Sequence, residues 1–146
     1  MQIEIQMDRT YLEPKIIILT ASMTDEINDL VKKLSTISSQ IISGIKNEKI
    51  EILDQDELIQ IYANDGKVFA VTSNGEYAVH FRLYELEERL NSNQFIRISK
   101  SEIINLKKVH NFDLSITGTI CIKLSNGNVT YVSRRYVAKL KKILGI

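Results

Sequence analysis

A chain of 146 residues, 44% hydrophobic and 25% charged, can bury a core and suits one domain with at most a small appendage. Its single cysteine, Cys121, excludes an internal disulfide and a cysteine zinc cluster. With no signal peptide and no apolar run near the roughly 18 residues that span a bilayer, a cytoplasmic setting is expected. The net charge of +1 conceals a polarised molecule: residues 97–146 hold ten Lys or Arg against two acids, a balance of +8, which leaves −7 on residues 1–96. Such asymmetry is the footprint of a partner with a dense negative backbone.

Residues 1–44 read as a β-β-α extension. Gln2–Gln6 alternates, and Lys15–Ala21 is a short β-branched run with Pro14 at its first position or edge. Thr24 caps the helix that should follow, with Asp25 and Glu26 in its first turn and Ile27, Leu30, Val31, Leu34 and Ile37 on one face. With four basic residues against six acids the extension is a poor nucleic-acid surface and a candidate for dimerisation. Ser35–Gly44, rich in serine and closed by glycine, is the expected boundary; residues 45–146 form the main domain.

After the boundary the apolar period changes from 3.6 to 2. Strands are expected at Lys49–Asp54, Leu58–Ala63, Val68–Thr72 and Glu76–Phe81, with turns at Asn64–Gly66 and Ser73–Gly75. Leu83, Leu86 and Leu90 mark a short amphipathic helix whose Glu85, Glu87 and Glu88 face water. Then come a strand in Phe95–Ser99, an irregular Ser101–Val109 segment with room for a helical turn, and strands around Leu114 and over Thr119–Leu124. Asn126–Gly127 turns the chain into Val129–Ser133, and a last helix runs from a Ser133 cap through about Leu144, stopped by Gly145. The fold class is mainly β with short helices.

Catalytic patterns are scarce. Ser43–Lys46 satisfies S-x-x-K without a second motif of that chemistry. His80 and His110 have no cysteine or carboxylate at ligand spacing, so neither metal nor cofactor is expected, and the chain is read as no enzyme. The acids at Asp54, Asp56 and Glu57 read as a solvated turn. The basic half is more informative. Arg134 and Arg135 stand where a strand ends and a helix begins, where guanidinium forks can present paired donors to phosphate or a guanine edge. Lys100, between Ser99 and Ser101, puts one charge and two hydroxyls at a strand tip. Lys107, Lys108, Lys139, Lys141 and Lys142 are further candidates for phosphate contacts, although the lysines of the last helix also suit its C-terminal dipole.

Phe95–Asn105, FIRISKSEIIN, resembles the F-x-R-x-x-x-S-x-x-x-N signature of the LytTR DNA-binding domain, with LYELEERL before it, a hairpin after it, and VSRRY leading into a closing basic helix. The resemblance covers about Ile45–Ile146. It implies a bacterial transcription regulator of antiparallel sheets that enters major grooves with loops. By position, groove-reading falls on Lys100, Arg135 and the hairpin at Gly66 and Lys67. Ser99 stands where many members have histidine, which leaves the preferred base sequence open. Arg97, Ser101 and Asn105 match the signature together with Phe95; for Asn105 a structural duty is expected, an amide bonding local backbone. The resemblance further implies a homodimer on paired direct repeats of double-stranded DNA. No phosphoacceptor receiver is seen, so the chain is response-regulator-like only in its output domain, and a small membrane protein that restrains it is an implied partner. The competing reading is a non-catalytic β-sheet adaptor that docks an acidic protein or membrane surface through the same basic face.

Overall fold

The computed structural model describes residues 1–12, 14–38 and 41–146. Ser39 and Gln40 of the expected boundary, and the side chain of Ile37, lie outside the described set. Among the described residues three helices, α1 (Asp25–Ser38), α2 (Leu83–Arg89) and α3 (Arg134–Leu144), accompany ten strands. β1 (Ile42–Lys46), β2 (Lys49–Leu53), β3 (Leu58–Asn64), β4 (Lys67–Thr72), β5 (Gly75–Val79), β6 (Phe95–Ser99) and β7 (Glu102–Asn105) form one antiparallel sheet in the order β2-β1-β5-β4-β3-β7-β6. β8 (Val109–Asp113), β9 (Cys121–Leu124) and β10 (Val129–Tyr131) form a second, in the order β10-β9-β8.

The large sheet is buried on both faces where β3, β7 and β6 lie. Leu58, Ile61 and Ile103 pack with Leu83, Leu86 and Leu90 in one core, while Ile59, Ile98 and Ile104 meet Ile122, Val132 and Leu140 in the other. Adjacent Ile103 and Ile104 thus point into different cores, which explains the continuous apolar run there, as expected of a strand covered on both sides. β7 occupies ground read from sequence as irregular; the helical turn expected there is a 3-10 turn at Leu106–Lys108.

The extension departs from its expected form. α1 forms as read, with the Thr24 hydroxyl accepting the Ile27 amide at 3.3 Å. Gln2–Gln6 and Lys15–Ala21, however, carry no ladder in the single chain, and residues 1–24 contain no strand among the described residues. A lone strand leaves its amides and carbonyls unpaired, so composition alone does not make one.

The boundary also shifts. α1 continues through Ser38, and Gly44 lies inside β1, where a Cβ would come within 2.7 Å of Tyr77 Cβ and 2.9 Å of Leu53 Cδ1. Gly44 is therefore a close-packing position and not the end of a linker. The strand expected around Leu114 ends at Asp113, leaving Leu114 exposed, and the last hairpin strand stops at Tyr131.

Candidate nucleic-acid interface

Three pieces distant in sequence meet at one end of the large sheet. The β3–β4 hairpin turns on Asp65 (φ 51°) and Gly66 (φ 74°), a pair in the left-handed region that makes a two-residue turn compatible with strand twist. Nothing lies within 4 Å of a Cβ built on Gly66, so conformation and not crowding calls for glycine there. Lys67 follows, exposed.

The β6–β7 turn sits beside this hairpin, because the Ala63 amide donates to the Ser101 carbonyl at 2.8 Å and Tyr62 pairs with Glu102. Within the turn the Ser101 amide donates to Ser99 Oγ at 3.2 Å, and the two serine hydroxyls lie 3.3 Å apart. Lys100, between them in sequence, is exposed.

The third piece is the start of α3. The Ser133 amide donates to the Ile98 carbonyl at 2.9 Å, which places Arg134 and Arg135 next to Ser99 and Lys100. Both arginines are exposed and occupy the first turn of a helix that has no acid there, whereas α1 opens with Asp25 and Glu26. Cations at a helix N-terminus oppose its dipole by a few tenths to about 1 kcal/mol. An anion seated at that end reverses the sign, because it meets both the helix amides and the guanidinium groups.

Other site residues are placed differently. The fork of Arg97 is engaged inside the fold: Nε donates to the Ser99 carbonyl at 2.7 Å, Nη2 to the Lys100 carbonyl and Nη1 to Glu87 on α2. Asn105 is fully buried, its amide donating to the Leu58 carbonyl at 2.7 Å and its oxygen accepting from the Lys107 amide at 3.0 Å. Phe95 packs in the core under α2. Lys107 and Lys108 follow the far end of β7, roughly 14 Å along four residues from the Lys100 turn. α3 runs back along β6, so Lys139, Lys141 and Lys142 lead away from the tip; Lys139 lines a groove of about 140 Å³ with Arg97, Glu87 and Ile143.

One neighbour was not legible from sequence. The β4–β5 ladder ends with Val68 paired to Val79, so exposed His80 leaves β5 at the end of the sheet where Lys67 opens β4, and only strand pairing reveals this. Glu102, at the root of the tip, accepts from Thr130 Oγ1 on β10 at 2.9 Å, while its other carboxylate oxygen is buried without a partner among the described residues. Burial pushes its pKa up, opposed by the Thr130 hydrogen bond. No cluster of three or more metal-ligating side chains occurs among the described residues, and no described helix is long and apolar enough to cross a membrane.

The model of the LytTr DNA-binding domain family matches residues 48–145. The chain belongs to that family. A LytTr DNA-binding domain of a response regulator from Bacillus cereus superposes with a TM-score of 0.70 at 20% identity, covering 73% of this chain and 98% of that one. An uncharacterized HTH-type transcriptional regulator of Staphylococcus aureus strain NCTC 8325 / PS 47 is 31% identical over 100% of this chain and 99% of its own length. Another, from strain MSSA476, is 33% identical over 92% and 91%. Similarity to these relatives therefore runs through the extension, which the LytTr family match leaves out. Despite the relatives' name, no helix-turn-helix is present among the described residues of this LytTr chain: five strands separate α1 from α2 and five separate α2 from α3.

Proposed function

We propose that the protein is a sequence-specific transcriptional regulator that reads double-stranded DNA through the three turn tips. Lys100, Arg135 and the Gly66–Lys67 hairpin approach base edges in the major groove; Ser99, Ser101 and Arg134 hold phosphates beside them. Arg97 acts from within, as the brace of the Lys100 turn. The observation that carries the reading is the gathering of Lys67, Lys100, Arg134 and Arg135, all exposed, by the Ala63–Ser101 and Ser133–Ile98 backbone hydrogen bonds. Four cations on rigid tips suit a polyanion of fixed geometry. Two copies occupy paired direct repeats as a homodimer in the cytoplasm, and a membrane protein that withholds the regulator is the partner this arrangement admits.

Titrating labelled DNA from upstream of its own gene against a shuffled duplex, over a series of salt concentrations, tests the reading. A preference for the upstream DNA is expected, with log K falling against log salt by about 0.9 per phosphate neutralised. Equal affinity for both duplexes, or affinity indifferent to salt, overturns it; the second result hands the basic face to the adaptor reading.

A further inference from the structure

The two cores of the LytTr domain are closed, yet the first 53 residues leave much apolar surface bare. β2 is the terminal strand of the large sheet, so its outer amides and carbonyls have no ladder neighbour among the described residues. Ile50 and Ile52 are 74% and 75% exposed, on the face opposite Leu53. Strand register sets Tyr62, Phe69, Ala78, Ile45 and Ile50 in one row across five strands. The first four are only half-buried, so an apolar band runs across an open face and out to the β2 edge.

The same chain carries an unpaired segment with strand-like alternation. Gln2–Asp8 alternates polar and apolar residues, with Ile5 85% and Met7 96% exposed, and it ends where Asp8 closes a turn on the Thr10 amide at 2.9 Å. An exposed edge and an unpaired alternating segment are complementary hazards, and a fold normally resolves both.

We infer that Glu4–Asp8 of one protomer adds as an antiparallel strand to β2 of a second copy, and the second returns the same segment. Antiparallel pairing matches every other pair in this sheet. With Ile5 opposite Ile52 and Met7 opposite Ile50, the apolar row gains one more member. On the other face Gln6 then falls beside Glu51 and Asp8 beside Lys49, an opposite-charge pair. Sliding the register by two to set Ile3 against Ile52 brings Glu4 against Glu51, and sliding by one turns the apolar residues to the wrong face. The second copy is the occupant because each chain holds both donor and acceptor, which in the single chain are not paired with each other and are exposed; a reciprocal exchange closes at two and leaves neither β2 edge open.

The inference deepens the homodimer of the proposed function but concerns assembly without DNA, so the two fail separately. Sedimentation equilibrium of the full chain should give a dimer. Ile50→Lys/Ile52→Lys and Ile5→Lys/Met7→Lys should each give a monomer at the same concentration, with affinity for a single half-site unchanged. The second pair lies in a segment that forms no secondary structure in the single chain, so loss of folding does not confound it. In a Cys121→Ser background, Met7→Cys mixed with Ile50→Cys should yield a disulfide-linked heterodimer. A monomeric wild type, lysine variants that remain dimeric, or Met7→Cys linking only to its own kind would overturn the inference. So would a chain carrying both cysteines that closes only on itself. A dimer assembled by this route that ignores cognate DNA would uphold it while the DNA reading falls.

Discussion

Arg97 on β6 bridges Glu87 on α2 to the backbone of the Lys100 turn, one fork serving a carboxylate and two carbonyls at once. The Arg97–Glu87 pair is partly exposed, so the ion pair itself is worth little; the geometric value lies in the carbonyls of Ser99 and Lys100, which only a planar fork spans together. Arg97→Lys should cost about 1–2 kcal/mol in urea unfolding and speed amide exchange at residues 99–101. Its DNA affinity should fall on cognate and shuffled duplexes alike with base preferences intact, the mark of a positioning residue. Altered preference at one base pair would show that Arg97 leaves the fold to read DNA.

Arg135 and Lys141 should separate reading from neutralising. Arg135→Ala is expected to cost about 1–3 kcal/mol on the cognate site and relax one base pair; Lys141→Ala should weaken all duplexes equally and lower the salt slope by about one. Arg135→Lys keeps charge and loses the fork, so it should behave like alanine for preference and better than alanine for affinity. Competition over all four bases at each position measures all three.

The pH dependence of stability should carry the signature of Glu102. Its folded pKa is raised by burial, so the folded state holds the proton more tightly than the unfolded chain. Glu102 therefore favours folding most below the ordinary carboxylate range, and that contribution is lost as pH rises through the raised value. Glu102→Gln removes the titration: melting temperatures of variant and wild type should converge in acid and separate towards neutral pH, with the variant higher. Parallel curves at every pH would refute this.

Asn105→Ala should destabilise the LytTr domain by about 2–4 kcal/mol, because it removes two hydrogen bonds and strands the Leu58 carbonyl in the core. Denaturation midpoints report the loss, and DNA base preference should survive wherever the protein remains folded.

Removing the extension is informative only if the cut spares β1. Deleting residues 1–38 should weaken binding to a two-site duplex far more than to a single half-site, through lost effective concentration. Deleting 1–44 instead removes Ile42 and Gly44 from the sheet and should unfold the domain, visible as loss of far-ultraviolet dichroism.

Local chemistry made much of the fold legible. Asn64–Gly66 announced a hairpin because left-handed backbone demands such residues, and the Leu83, Leu86 and Leu90 spacing announced α2. β1 was hidden because a Ser-Gly sequence looks like a linker until Tyr77 and Leu53 are seen crowding Gly44. β7 was hidden because a strand buried on both faces has no alternation to read. For the site, charge and strand-end position singled out Lys100, Arg134 and Arg135, while Gly66 and Lys67 came from family resemblance. The residues themselves could not show that Arg97 is occupied or that His80 leaves β5 at the end of the sheet where Lys67 opens β4, since both facts are tertiary.

The bonds that gather the tips, Ala63 to Ser101 and Ser133 to Ile98, run from main chain to main chain. Such bonds are indifferent to the side chains they carry. On the proposed reading, Lys100, Arg134 and Arg135 can therefore be exchanged without loosening the frame that aims them, and a scaffold of this construction would be retargeted from one promoter to another by point substitution at little expense in stability. Regulators that read with a helix must preserve a helical face while they change its letters; in the proposed reading the letters sit on a mount that does not depend on them.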